Sequence, residues 1–93
     1  MKINAVMIDK KDNVVVAIEI IKKGDLIFYK RDKENIELEA LTDIQIYHKL
    51  ANKDIKKGEP VIKYGEHIGI AARDIYKGEH VHVHNVESHR EEL

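Results

Sequence analysis

Asp54-Ile55-Lys56-Lys57-Gly58-Glu59-Pro60-Val61-Ile62-Lys63-Tyr64-Gly65-Glu66-His67-Ile68-Gly69-Ile70-Ala71 is the stretch whose reading settles the fold class. Two short segments, Pro60 to Tyr64 and His67 to Ala71, are rich in β-branched and aromatic residues and flank Gly65-Glu66, which predicts a pair of strands joined by a turn. The opening phrase recurs. Ile21-Lys22-Lys23-Gly24-Asp25 precedes it and Asp74-Ile75-Tyr76-Lys77-Gly78-Glu79 follows it, each leading into an apolar segment. A single turn is thus used three times: Ile anchors in the core, Gly takes a backbone conformation strained for other residues, and the acid enters the next strand. Spacings of 34 and 20 residues between the copies are too unequal for a solenoid. They suit a compact, pseudo-symmetric fold in which hairpins wrap around one another.

The same reading extends along the chain. Strands are predicted at Ile3 to Ile8, Val14 to Ile20, Leu26 to Lys30, Ile36 to Leu41, Tyr47 to Ala51 and His80 to Asn85. Asp9-Lys10-Lys11-Asp12-Asn13 suits a hairpin turn between the first two. Helix is least excluded between Leu41 and Ala51, where Leu41, Ile44, Tyr47 and Leu50 allow a 3.6-residue period. The expectation is an all-β domain over residues 1–85, followed by a polar tail over residues 86–93 that frays or docks on a partner.

With 93 residues the chain has room for one modest core and not for two domains around a deep cleft. Sixteen Lys and Arg against seventeen Asp and Glu give a net charge of -1 with interspersed signs, so neither nucleic acid nor an anionic membrane is an expected partner. The start lacks the apolar run of a signal peptide and no segment could span a bilayer, which predicts a cytoplasmic protein. Cysteine is absent, so a metal would have to be held by His, carboxylates or a partner. Strand edges and a small core leave room for a homo-oligomer. No Gly-rich phosphate cradle leads into a helix, so the glycines are assigned to turns and close packing.

His80-Val81-His82-Val83-His84 alternates, and on a strand its three imidazoles share one face while the valines pack on the other. Residues two apart lie roughly 7 Å apart along a strand, close enough for His82 and His84 to meet one divalent ion or one substrate. His80 is the expected spectator. Two ligands leave a third and fourth to a carboxylate, water, substrate or partner. Asn85 ends that strand, where its amide can bind substrate hydroxyls or close a turn. His48-Lys49 and Lys63-Tyr64 fall at strand ends, where a lysine can hold a carboxylate and His or Tyr can relay a proton. His67, His89 and Arg73 stand alone and are assigned no function.

From His48 to Asn85 several elements occur in order: His48-Lys49, Asp54-Ile55 with Gly58, Lys63-Tyr64-Gly65 with Gly69, Asp74-Ile75 with Gly78, and His82-x-His84-Asn85. This stretch resembles the amino-terminal SAF domain of the altronate/galactarate dehydratase family, which includes the small subunit of sulfolactate sulfo-lyase. Asn13 to Ala17 followed by Gly24 fits the family's first hairpin, so nearly the whole chain is covered. Where the family pattern carries Gly before the His-Lys pair, Tyr47 stands here.

The resemblance implies a compact β-clip of short strands and hairpins with little helix, and dehydration of a sugar acid such as altronate. It implies a divalent cation, Fe²⁺ or Mn²⁺, shared with a large catalytic subunit, because the region that follows this module in fused relatives is not in this sequence. His48, His82 and His84 are then the expected catalytic residues, His82 and His84 the metal ligands, and Lys49, Lys63, Tyr64 and Asn85 the substrate-binding residues. The chain is expected to be inactive alone. A small subunit of (2R)-sulfolactate sulfo-lyase is the alternative of the same class, and a non-catalytic sugar- or acid-binding SAF module is the alternative from another.

Overall fold

The computed structural model describes residues 2–88 and is all-β, with no helix among the described residues and hence none long and apolar enough to cross a membrane. Nine strands follow in order: β1 (Ala5–Val6), β2 (Val14–Ala17), β3 (Leu26–Arg31), β4 (Glu34–Glu39), β5 (Lys49–Ala51), β6 (Pro60–Lys63), β7 (Glu66–Ala71), β8 (His80–Val81) and β9 (Val86–Glu87). They form three small antiparallel sheets, ordered β1-β2-β5-β8, β3-β4 and β6-β7-β9. The helical period from Leu41 to Ala51 is not used. That segment is a turn followed by β5.

What unites the sheets is a nine-residue segment used four times, at residues 17–25, 40–48, 51–59 and 71–79. Each starts at a buried alanine (Ala17, Ala40, Ala51, Ala71) and has a buried isoleucine at its fifth position (Ile21, Ile44, Ile55, Ile75). Each ends in a tight turn whose last N–H donates to the carbonyl three residues back: Asp25 to Lys22 and Glu59 to Lys56 at 2.9 Å, Glu79 to Tyr76 at 2.9 Å, and His48 to Gln45 at 3.0 Å. The residue before that closing N–H has positive φ: Gly24 at 91°, Gly58 at 88°, Gly78 at 93° and Tyr47 at 67°. A turn with φ > 0 at its third position favours Gly there, which is why the three Gly copies are legible in the sequence. The fourth copy, with Tyr47 in the Gly place and His48 in the acid place, escapes that pattern.

The four copies interlock in two pairs. Ile21 and Ile44 exchange backbone hydrogen bonds of 3.0 and 2.8 Å, and Ile55 and Ile75 exchange bonds of 2.8 and 2.7 Å. Within each pair the positive-φ residue donates to the partner's leading alanine: Gly24 to Ala40, Tyr47 to Ala17, Gly58 to Ala71 and Gly78 to Ala51. Each pair centres one hydrophobic cluster, the first around Ile21, Ile27, Ile44 and Leu50, the second around Ile55, Val61, Ile75 and Val81. Strands β2 and β5 run between the clusters with alternate side chains, Val15 and Leu50 entering the first and Val14 and Ala51 the second. A strand buried on both faces reads as the continuous apolar run Val14-Val15-Val16-Ala17 rather than as an alternation.

A left-handed conformation costs a non-Gly residue about 1–2 kcal/mol, and Tyr47 is 72% exposed, so its side chain recovers little by burial. Tyr47→Gly should therefore raise stability by about 1 kcal/mol, read as a higher denaturation midpoint. An unchanged or lower midpoint would contradict a strained turn.

The hairpin joining β1 and β2 clamps the one joining β6 and β7. The nearly buried Asp12 carboxylate accepts from the N–H groups of Asp9 (3.1 Å), Tyr64 (3.1 Å) and Gly65 (2.8 Å). Asn13 accepts from Ile62 N–H at 2.8 Å and donates to the Pro60 carbonyl at 2.9 Å. Asp12→Ala leaves several donors unmet and is expected to cost about 2–4 kcal/mol. A denaturant melt showing less than 1 kcal/mol would place that clamp elsewhere.

Several strand bounds are shorter or shifted from expectation, and two of the differences bear on the site. The strand at His80 ends at Val81, and residues 82–85 form a turn in which Asn85 N–H donates to the His82 carbonyl at 3.1 Å. Val86 and Glu87, placed by the sequence in the polar tail, pair with Ala71 and Ile70 of β7. Residues 89–93 of that tail, including His89, lie outside the described residues.

Candidate metal and substrate site

The fourth nine-residue segment builds the site because it departs from the other three. In those, the acid that ends the turn folds back onto the first turn N–H: Asp25 onto Lys22 (2.9 Å), Glu59 onto Lys56 (2.6 Å) and Glu79 onto Tyr76 (3.0 Å). His48 holds the corresponding place and its ring is turned elsewhere. His48 Nδ1 lies 2.8 Å from His80 Nε2, and the His48 ring stacks on His82 with centroids 4.2 Å apart. His80 sits on β8 opposite Leu50, its N–H donating to Thr42 Oγ1 at 3.0 Å. His48, His80 and His82 each present one ring nitrogen, and the three lie within 4.8 Å of one another.

This differs in membership from the pair expected on a strand face. The chain turns after Val81, so His82 and His84 do not share an extended face, and Val83 is 81% exposed rather than packed opposite them. His80, the expected spectator, stands in the middle of the cluster. The His84 ring tilts against His80 at 5.0 Å between centroids and lies outside the set of three.

Asn85 imposes the turn. Its side chain is fully buried, with Oδ1 accepting from His82 N–H at 3.0 Å and Nδ2 donating to the His80 carbonyl at 2.8 Å, while its own carbonyl accepts from Ala72 N–H at 2.9 Å. Both ends of the amide are engaged and no surface is exposed. Of the two roles expected for Asn85, this geometry is that of the residue that closes the turn and positions His80 and His82.

The surroundings of His80 and His82 disfavour their protonated forms. Burial, reinforced by His84, His48, His82 and Lys49, lowers the His80 pKa to about 4. His82 is lowered too, first by desolvation and then by His48, Lys49 and His84. Neutral imidazole is the ligating form, and three ring nitrogens within 4.8 Å of one another suit Fe²⁺, Zn²⁺ or a similar borderline ion. The residues present therefore fit the divalent cation that the sequence resemblance implies.

A stability consequence follows for the metal-free chain. Below the unfolded pKa of 6.5 the unfolded state takes up a proton at His80 that the folded state refuses until about 4. Stability should be fully present above pH 6.5 and decline as pH falls toward 4. Thermal melts at pH 7 and pH 5 test this, and an equal or higher midpoint at pH 5 would contradict it.

Lys49 lies on β5, half-buried, and its pKa is lowered by desolvation and then by the nearby Lys63. With His82 it lines a surface cleft whose other walls include Ile68, Val83, Val86 and Glu87. Lys63 Nζ lies 4.9 Å from the Tyr64 ring centroid, and the 60%-exposed Tyr64 sits at the tip held by Asp12 with φ of 58°. Among the described residues neither Lys49 nor Lys63 makes an ion pair. Arg73, assigned no function, pairs with Glu79 at 3.3 Å. Thr42, which holds His80, carried no signal in the sequence.

The sequence pattern described as the altronate/galactarate dehydratase SAF domain matches residues 3–89. An altronate dehydratase of Bacillus subtilis is 36% identical over 95% of the chain, and one of Escherichia coli is 40% identical over 88% of it. The chain spans only 17% and 16% of those two proteins. The (2R)-sulfolactate sulfo-lyase subunit alpha of Chromohalobacter salexigens is 39% identical, with 97% of this chain and 99% of the subunit covered.

Proposed function

Because this chain belongs to the altronate/galactarate dehydratase SAF domain family, we propose that it is the small, histidine-bearing part of a hydroxy-acid lyase whose remaining active-site groups come from a larger catalytic polypeptide. The observation that carries this is the convergence of His48, His80 and His82, whose ring nitrogens lie within 4.8 Å of one another beside a half-buried lysine. No carboxylate joins that set among the described residues. The larger polypeptide would supply the missing anionic ligand and the base.

The favoured reaction is dehydration of a sugar acid of the altronate type: a proton leaves the carbon next to the carboxylate and a hydroxyl leaves the neighbouring carbon. His48, His80 and His82 would hold a divalent cation, which supplies Lewis acidity toward the developing negative charge. Lys49, which lines the cleft with His82, would offer its ammonium group to the substrate carboxylate, with Lys63 and the Tyr64 ring 4.9 Å from it as the further substrate contacts. His84, exposed and with its ring 5.0 Å from that of His80, would neighbour the metal-holding set without joining it. The apolar Ile68 and Val83 exclude water around these groups once covered.

A second reading, the small subunit of a (2R)-sulfolactate sulfo-lyase, is favoured by the 99% coverage of that relative's alpha subunit. The lysines and histidines act in the same way, and sulfite leaves instead of hydroxide. The purified complex with the larger polypeptide, assayed for dehydration of altronate and galactarate and for sulfite release from (2R)-sulfolactate, decides between them. Turnover of none of the three, or wild-type turnover in both His80→Ala and His82→Ala, would leave a non-catalytic acid-binding module.

A further inference from the structure

We infer that the chain carries a second small-molecule site, in a pocket walled by the β1–β2 hairpin, β3 and the residues after β5. Its ligand is a compact oxyanion that bears a hydroxyl: hydrogenphosphate or a short 2-hydroxy carboxylate. The pocket has a volume of about 110 Å³, and its walls include Lys10, Asp12, Tyr29, Arg31, Asn52 and Lys53. None of its lining residues belongs to the histidine cluster or to the cleft of Lys49 and His82. Asn52 and Lys53 follow β5, whose other end carries Lys49. The inference is therefore independent of the lyase reading.

The inner wall is polar and buried. Tyr29 is 3% exposed, with its ring packed in the first hydrophobic cluster and its hydroxyl end beside Asn52 and Arg31. Burial raises its pKa against the pull of those two neighbours, so the phenol stays protonated and able to donate. Asn52 Nδ2 donates to the Asp12 carbonyl at 3.3 Å, which fixes the orientation of the amide. Its Oδ1 is buried and receives no well-formed hydrogen bond, even from the nearby Tyr29. A buried acceptor without a donor is destabilising, and a ligand hydroxyl would supply the donor.

The rim is cationic. Lys10, Arg31 and Lys53 are exposed, and none makes an ion pair among the described residues, although Glu34 stands across the hairpin from Arg31. Asp12, the carboxylate on the wall, is nearly buried and already accepts from three backbone N–H groups. The three cations and the phenol would hold the anionic oxygens while Asn52 Oδ1 accepts from the hydroxyl. That last contact distinguishes hydrogenphosphate and 2-hydroxy acids from sulfate and acetate, which have no hydroxyl to donate at neutral pH.

Calorimetric titration of the full chain at constant ionic strength with phosphate, glycolate, sulfate and acetate tests this. Phosphate or glycolate is expected to bind with a dissociation constant on the order of 1 mM, and sulfate and acetate at least about fivefold more weakly. Arg31→Gln and Tyr29→Phe, shown by circular dichroism to be folded, should each weaken binding about tenfold. Lys53→Gln, at an exposed position, repeats the charge test without touching the core. Lys77→Gln, on a turn of the second interlocked pair, should leave affinity within about twofold. Tighter binding of phosphate than of glycolate identifies a phosphate group as the ligand chemistry, and the reverse order a hydroxy acid; either supports the site. No binding of either at about 20 mM, sulfate and acetate binding as tightly as both, or affinities untouched by the Arg31, Tyr29 and Lys53 substitutions would overturn it. Turnover plays no part in the readout, so failure here leaves the lyase reading standing.

Discussion

His80→Ala is expected to cut turnover of the assembled enzyme by about 10²- to 10⁴-fold, the range for removing a group that acts directly at the reacting centre. His80 is the member of the cluster that touches the most rings: His48 at 2.8 Å between nitrogens, His82 at 5.8 Å between centroids and His84 at 5.0 Å. Its removal deletes a donor and also the hydrogen-bond partner that orients His48. His84→Ala should cost less than about tenfold, because His84 lies outside the converging set and is exposed. The contrast separates the strand-face pair of His82 and His84 from the trio in the structure. Equal losses in His82→Ala and His84→Ala with near-wild-type rates in His80→Ala would reinstate the pair. Metal content of the purified complex gives an independent readout, falling with His48, His80 and His82 substitutions and unaffected by His84→Ala.

The second large effect concerns Asn85. Its buried amide makes two hydrogen bonds to the backbone on either side of the cluster, and alanine there leaves the His82 N–H and the His80 carbonyl without partners. A buried polar group stripped of its partner costs about 1–3 kcal/mol, so Asn85→Ala should lose about 2–4 kcal/mol. At roughly 4–8 °C per kcal/mol for a domain of this size, the melting midpoint should drop by about 8–32 °C. Asn85→Asp is no rescue: it keeps an acceptor for His82 N–H but sets a buried carboxylate oxygen against the His80 carbonyl. Because the turn aims His80 and His82, metal affinity of the assembled enzyme should fall about 10- to 100-fold in either variant even well below the melting temperature. A fully folded Asn85→Ala protein with normal metal content would show that the turn forms without the amide.

Local chemistry made much of this legible in the residues. Val and Ile in short runs between Gly, Asp and Lys predicted an all-β chain, and three turns with Gly at the positive-φ position were visible as a repeated phrase. The fourth was hidden because Tyr47 and His48 replace Gly and acid, and only the hydrogen bonds from Tyr47 N–H to the Ala17 carbonyl and from Ala17 N–H to the His48 carbonyl reveal it as the same element. The candidate residues His48, His82, Lys49 and Lys63 were named from their types and order. The gathering of the first two around His80 was not, since His48 is 32 residues from its hydrogen-bond partner.

The sequence by itself determined the class of the fold, the turns, the absence of cysteine ligands and the set of side chains able to bind an ion or a carboxylate, because those depend on residue type and nearest neighbours. Tertiary structure decided which histidines meet. An alternating His-Val run satisfies a strand equally well as a turn until Asn85 is buried and bonded to both sides of it, and that burial comes from packing against β7 and the Ala72 N–H. Period-2 patterning reports where side chains point only while the backbone stays extended. Here three long-range contacts, from Thr42, Ala72 and His48, bend it.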